Sequence, residues 1–170
     1  LYLLLAENHF RLDNKEIAIK YCQKGLELLE SKRDIATMAL TLLYLGKFYK
    51  YKGKFQKALK QFQLCASVNQ KISAADRQAD CLREMGAIHL FLENPEEAQG
   101  QLSGALGLYE KTENVAGLIE TLNLRGAAYR ILGRYEDSRK DLERALQANT
   151  AVTSAQNAAE SYLVCGRIAV

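Results

Sequence analysis

Apolar residues recur along this chain at helical spacing, in long stretches separated by short polar breaks. The fullest example is AGLIETLNLRGAAYRIL, residues 116–132, followed by the break GRY and then by YEDSRKDLERALQA, residues 135–148, which resumes an amphipathic pattern. Equivalent breaks fall at Asp13-Asn14, Gly53 and Glu93-Asn94-Pro95. Asn94, Pro95, Glu96 and Glu97 form a helix start: an N-cap oxygen, a proline in the first turn, and acids at the positive helix end. The pattern predicts a succession of helix–turn–helix units.

The units are related by a period of forty residues. Ala6, Gly46, Gly86, Gly126 and Gly166 form one column of small residues. Four positions earlier stand Tyr2, Leu42, Leu82, Leu122 and Tyr162, and three later His9, Tyr49, His89, Tyr129 and Ala169. Twelve later come Ala18, Ala58, Ala98 and Ser138; sixteen later, Cys22, Phe62, Leu102 and Leu142; nineteen later, Gly25, Cys65, Ala105 and Ala145. The small column has a mechanical reason. Where two antiparallel helices cross, glycine or alanine lets the backbones approach, and large residues of the partner helix fill the gap.

A small residue, an aromatic three later, a short turn, alanine, a bulky apolar residue and a further alanine resemble the tetratricopeptide repeat, most fully in LNLRGAAYRILGRYEDSRKDLERAL. The usual period of that family is about 34 residues. A period of forty implies helices longer by about a turn and a half. It is similar to the spindle-orientation adaptors with Leu-Gly-Asn repeats, kinesin light chains and bacterial Rap-type regulators. The resemblance implies an all-α fold: an α-solenoid of nine helices, in antiparallel pairs wound into a right-handed superhelix. It would form one continuous domain, with repeats at about 1–33, 34–73, 74–113 and 114–153 and the first helix of a fifth at 154–170. The fifth unit stops at Val170 before a second helix, leaving Tyr162, Leu163, Val164 and Ile168 partly uncovered. Repeat arrays end in polar caps. The array is therefore expected to continue, or this end to be covered by another chain, a second copy included.

Composition adds little to the fold and more to the function. A charge of +3 is too small to imply a polyanionic partner for the whole molecule, but Ile35 to Ala75 carries seven lysines and no acid. Cys22, Cys65, Cys81 and Cys165 show no C-x-x-C pairing and no zinc-like spacing, and read as buried free thiols. LYLLLA at the start lacks a basic leader and a cleavage motif, and no apolar run approaches the roughly 20 residues of a membrane span. The chain is expected in the cytoplasm or nucleus, without a membrane partner.

Residues that could carry chemistry have structural explanations. His9 and His89 share a column with Tyr49 and Tyr129, two repeats apart, so both read as packing residues. Glu96-Glu97 and Glu136-Asp137 sit where the helix dipole accounts for them. Nucleotide-binding loops, metalloprotease motifs and serine-nucleophile elbows are missing from the sequence. No enzymatic activity and no cofactor or metal are expected.

The family resemblance implies ligand binding on the concave surface formed by the first helix of each unit. Positions three before, one after and four after the small column place Glu7, Phe10, Leu43, Lys47, Lys50, Arg83, Ala87, Leu90, Asn123, Ala127, Arg130, Leu163 and Arg167 there, with Glu120 and Glu160 beside them. Asn123 resembles the asparagines with which light-chain and spindle-adaptor repeats hold a peptide backbone. The expected function is that of an interaction scaffold or adaptor binding a protein or peptide segment. Acidic residues of the partner would meet the lysines and arginines, and its apolar anchors would lie beside Phe10, Leu43 and Leu90. The first alternative is a peptide-sensing module that controls an attached effector domain. The second is nucleic-acid binding through KFYKYKGKFQKALK, residues 47–60. That stretch spans two helices and a turn, however. Lys47 and Lys50 are expected on the groove, Lys52 and Lys54 at the turn, Lys57 and Lys60 on the outer side, with Tyr51 the one ring free to stack on a base.

Overall fold

The computed structural model describes residues 1–32 and 34–151, and within them eight helices and no strand. These are α1 (Tyr2–Arg11), α2 (Lys15–Lys32), α3 (Ile35–Tyr51), α4 (Phe55–Lys71), α5 (Ala75–Phe91), α6 (Pro95–Thr112), α7 (Val115–Ile131) and α8 (Tyr135–Ala151). The expected ninth helix, at 154–170, lies outside the described residues. By its internal contacts the chain divides into two compact units, Leu1–Cys81 and Leu82–Val170, with the division inside α5.

Helix starts follow the local chemistry, with one correction. Asp34 caps α3 by accepting the Thr37 N–H at 3.1 Å, and Asn114 caps α7 by accepting the Gly117 N–H at 3.0 Å. Asn94 stands at the N-cap of α6, but its side chain accepts no capping bond there. That helix start rests instead on the fixed φ of Pro95 and on Glu96 and Glu97 beside the positive helix end.

One geometry ends six of the helices. The turn residue is left-handed at Asp13 (φ 61°), Gly53 (68°), Ser73 (55°), Glu93 (59°), Glu113 (57°) and Gly133 (71°). In each case the next residue donates its N–H to a carbonyl five positions back. The donors Asn14, Lys54, Asn94 and Arg134 reach His9, Tyr49, His89 and Tyr129 at 2.8–2.9 Å, while Ala74 and Asn114 reach Asn69 and Tyr109 at 2.9 and 3.0 Å. This Schellman bond satisfies a carbonyl that the helix end would orphan. Glycine adopts the left-handed conformation without steric cost; aspartate, serine and glutamate do so against their Cβ.

In the first unit α1 packs on α2, α2 on α3 and α3 on α4. In the second, α6 packs on α7 and α7 on α8, while Gly86 and Leu82 of α5 meet Leu102 and Gly104 of α6. The sequence columns are the packing layers. Ala6, Ala18, Ala58, Ala98, Cys22, Phe62, Leu102, Cys65, Ala105 and Ala145 are fully buried. A Cβ added at Gly46 would lie 2.6–2.9 Å from three ring atoms of Phe62, and one at Gly86 would lie 2.5 Å from Leu102 Cγ. The glycines are therefore required by close approach. Complete burial of a side chain such as Leu102 contributes about 1.5–3 kcal/mol.

Ser138, the one polar member of the alanine column, is buried but satisfied: its hydroxyl donates to the Gly126 carbonyl at 2.7 Å. Arg125 ties three helices of the second unit together. Its Nε and Nη2 donate to both carboxylate oxygens of Asp141 at 2.7 Å, its Nη1 donates to the Ser103 hydroxyl at 3.0 Å, and its guanidinium stands 5.5 Å from the Tyr129 ring centre.

Candidate partner-binding faces

Each unit presents part of the predicted site on its own helices. In the first, α1 contributes Glu7 and Phe10, and α3 contributes Lys47 and Lys50, all partly exposed. Phe10 stacks on Phe48 with ring centres 4.4 Å apart and meets Tyr51 edge-on at 5.0 Å. Glu7 accepts a hydrogen bond from the Tyr44 hydroxyl, and this bond, aided by partial burial, holds the phenol above its ordinary pKa. Lys47 Nζ lies 6.0 Å from the centre of the same Tyr44 ring. The result is an aromatic shelf edged by amines, on which Tyr51 is 65% exposed.

Leu43 is a correction. Expected as an exposed apolar anchor, it is only 7% exposed and belongs to the core. Its column holds Arg83 and Asn123 in later repeats. A long or polar side chain at that position reaches outward, whereas leucine lowers its free energy by turning into the helix interface.

The lysines of residues 47–60 separate between distinct environments. Lys52 pairs with Glu16 of α2 at 2.6 Å, and Lys57 Nζ stands 5.9 Å from the Tyr49 ring centre. Tyr49 is buried, and its hydroxyl accepts from Gln23 Nε2 at 3.4 Å.

In the second unit, Glu120, Asn123, Ala127 and Arg130 follow one another at helical spacing along a single face of α7. Arg83 of α5 is turned toward that face: its Nη1 pairs with Glu120 at 2.7 Å, and its Nε donates to the Tyr109 hydroxyl at 3.4 Å. Burial opposes the Arg83 charge, but Tyr109 and Glu120 outweigh it and hold the guanidinium above its ordinary pKa. Leu90 is partly buried against the Ala98, Leu102 and Ala128 cluster. Arg130 is exposed. Asn123 is partly exposed, yet its Oδ1 is buried with no hydrogen-bond partner. Arg167, Leu163 and Glu160 lie outside the described residues.

Sequence reasoning missed the Tyr109 hydroxyl and Tyr44, because neither falls in a repeat column or at a groove offset. Among the described residues no three metal-ligating side chains cluster, and no helix is long and apolar enough to cross a membrane.

This architecture recurs in known proteins. No curated protein matches the chain in sequence. Among solved structures, BtubC (BKLC) from P. vanneervenii is similar with TM-score 0.82 and 19% identity, covering 90% of this chain and 63% of that one. The quorum sensor NprR from B. thuringiensis is similar with TM-score 0.77 and 18% identity over 96% of this chain and 46% of its own. A putative kinesin light chain from Podospora anserina follows with TM-score 0.72 and 14% identity over 98% and 86%. The chain thus spans less than two thirds of the length of the first two. Tetratricopeptide repeat families match residues 37–111 and 119–151, together well over half of the sequence. With eight described helices in repeating pairs and the small column set against its bulky partners, the chain belongs to the tetratricopeptide repeat family.

Proposed function

We propose that this chain is an interaction module that holds an acidic segment of a partner protein or peptide on the first-helix faces of its repeats. The observation that carries this reading is Asn123. A buried amide oxygen without a donor costs about 1–3 kcal/mol. Rotation of the amide toward a bound peptide would remove that cost by giving the oxygen a backbone N–H. Arg130, exposed two turns along the same face, would meet a partner carboxylate. Arg83 would join only by exchanging Glu120 for a carboxylate of the partner, an exchange that favours acidic ligands over neutral ones. On the first unit, Lys47 and Lys50 would supply charge, with Phe10 and Tyr51 as the apolar contact. Leu43 is not among the anchors.

Regulation by peptide sensing is the second reading, favoured by the likeness to a quorum sensor over nearly the whole of this chain. It differs in requiring an effector domain whose output changes on binding. Nucleic-acid binding is disfavoured by the dispersal of the lysine-rich stretch, with Lys52 paired to Glu16 and Lys57 set over Tyr49.

The test is binding to a peptide library graded in acidity, read by fluorescence polarisation, with Asn123→Ala and a Lys47/Lys50/Arg130 charge-reversal triple variant in parallel. Acidic peptides should bind wild type, lose about tenfold in affinity with Asn123→Ala and lose most binding with the triple variant. Retention of the same peptides by both variants would overturn the assignment.

A further inference from the structure

Two cysteines sixteen residues apart meet inside the first unit. Cys65 of α4 and Cys81 of α5 are both fully buried, and their sulfurs stand 2.7 Å apart. Neither is required there by the fold. The column of Cys65 holds Gly25, Ala105 and Ala145, and the column of Cys81 holds Thr41 and Thr121. The juxtaposition itself is built into the repeat: one unit earlier, a Cβ at Gly25 would lie 3.9 Å from Thr41 Cγ2. Only at this junction do both columns carry sulfur.

Hydrogen bonds hold the two sulfurs in place. The Cys65 thiol donates to the Ala39 carbonyl at 3.3 Å, while its sulfur accepts from Asn69 Nδ2 at 3.2 Å and from the Cys81 thiol. Asn69 is fully buried, and its Oδ1 has no hydrogen-bond partner. A disulfide needs the sulfurs at about 2.05 Å, a closing of well under 1 Å from the present separation.

We propose that Cys65 and Cys81 are a reversible redox site, forming a disulfide that staples α4 to α5. The oxidant class is a peroxide small enough to enter during local opening of the helix pair. One thiolate attacks a peroxide oxygen and breaks the O–O bond, giving a sulfenic acid and, after proton transfer, water. The second thiol then attacks the sulfenic sulfur and expels a second water. The two thiols lose two electrons and two protons in total, and hydrogen peroxide is reduced to two waters. A dithiol returns the pair to its reduced state by exchange. The bond would fix the opening turns of α5, up to Cys81, against α4.

The experiment treats the chain, carrying Cys165→Ser to exclude that thiol, with hydrogen peroxide and then with dithiothreitol. Non-reducing peptide mapping should give one intrachain Cys65–Cys81 link with the loss of two hydrogens. Tm should rise by about 5–10 °C and fall back on reduction. Cys65→Ala and Cys81→Thr, which install the residues of neighbouring repeats, should fold and show neither the link nor the shift. Sulfinic acid at Cys65, intermolecular links alone, or a Cys65–Cys81 bond that leaves Tm unchanged or lower would each overturn the proposal.

Discussion

Replacing Gly86 by alanine tests whether the small column is there for close approach. The added Cβ would lie 2.5 Å from Leu102 Cγ and 2.7 Å from its Cδ2, so the fully buried Leu102 must move. Overpacking of this kind costs about 1–3 kcal/mol. Against it stands the gain of alanine over glycine inside a helix, about 1 kcal/mol. The net expectation is a loss of about 1 kcal/mol, or a fall of about 2–4 °C in Tm for a chain of this size. Gly126→Ala is the internal control. Its Cβ would stand 3.2 Å from Leu142, close enough to need only small adjustment, so that variant should be neutral or more stable by up to about 1 kcal/mol. The decisive measurement is a double-mutant cycle by urea unfolding followed with circular dichroism. Leu102→Ala alone should cost about 2–5 kcal/mol. In that background Gly86→Ala is relieved of its three nearest contacts and should reverse sign, becoming stabilising by about 1 kcal/mol. The same effect of Gly86→Ala in both backgrounds would refute the packing argument.

Asp141→Ala leaves the Arg125 guanidinium without its bidentate partner. With side chains 18% and 8% exposed, the loss should be about 2–3 kcal/mol in thermal unfolding, and a loss under 0.5 kcal/mol would mean the charge had reached water. Gly53→Ala should cost about 1 kcal/mol through its φ of 68° alone, since nothing lies within 4 Å of the new Cβ; a loss above 3 kcal/mol would point to a contact the turn does not have. Burial, aided by the Glu7 charge, pushes the Cys22 thiol up to about 12, so it should resist alkylation in the native state at mildly alkaline pH and react only on unfolding. Because the folded value exceeds the ordinary 9.0, the stability this group contributes is complete below pH 9.0 and lost as pH rises toward 12; Cys22→Ala should flatten that part of the pH–stability curve.

The repeat was legible because its packing columns must keep volume and polarity at every turn of the pattern. Ala6, Gly46, Gly86 and Gly126 are small for the same geometric reason, and that reason leaves a fixed spacing in the sequence. Gly53 and Gly133 marked their turns, whereas Ser73 and Glu113 adopt the same left-handed conformation without a compositional sign. The candidate site was harder to read. Helical offsets identify a face but not which helix covers it, so Leu43 was placed outside and lies inside. Pairs that join different helices, Arg83 with Glu120 and Cys65 with Cys81, depend on the register between elements, which no local spacing records.

The opposed columns also bear on how the chain assembles. Partner volumes differ from unit to unit: Ala6 belongs with Cys22, Gly46 with Phe62, and Gly86 with Leu102. Suppose α1 docked on α4 in place of α2 during folding. Its alanine methyl would then face Phe62, a ring that leaves no room for a Cβ even at Gly46. In an array of near-identical hairpins, where slippage by one repeat is the natural error, that mismatch acts as proofreading and rejects the wrong neighbour before the rest of the helix can settle.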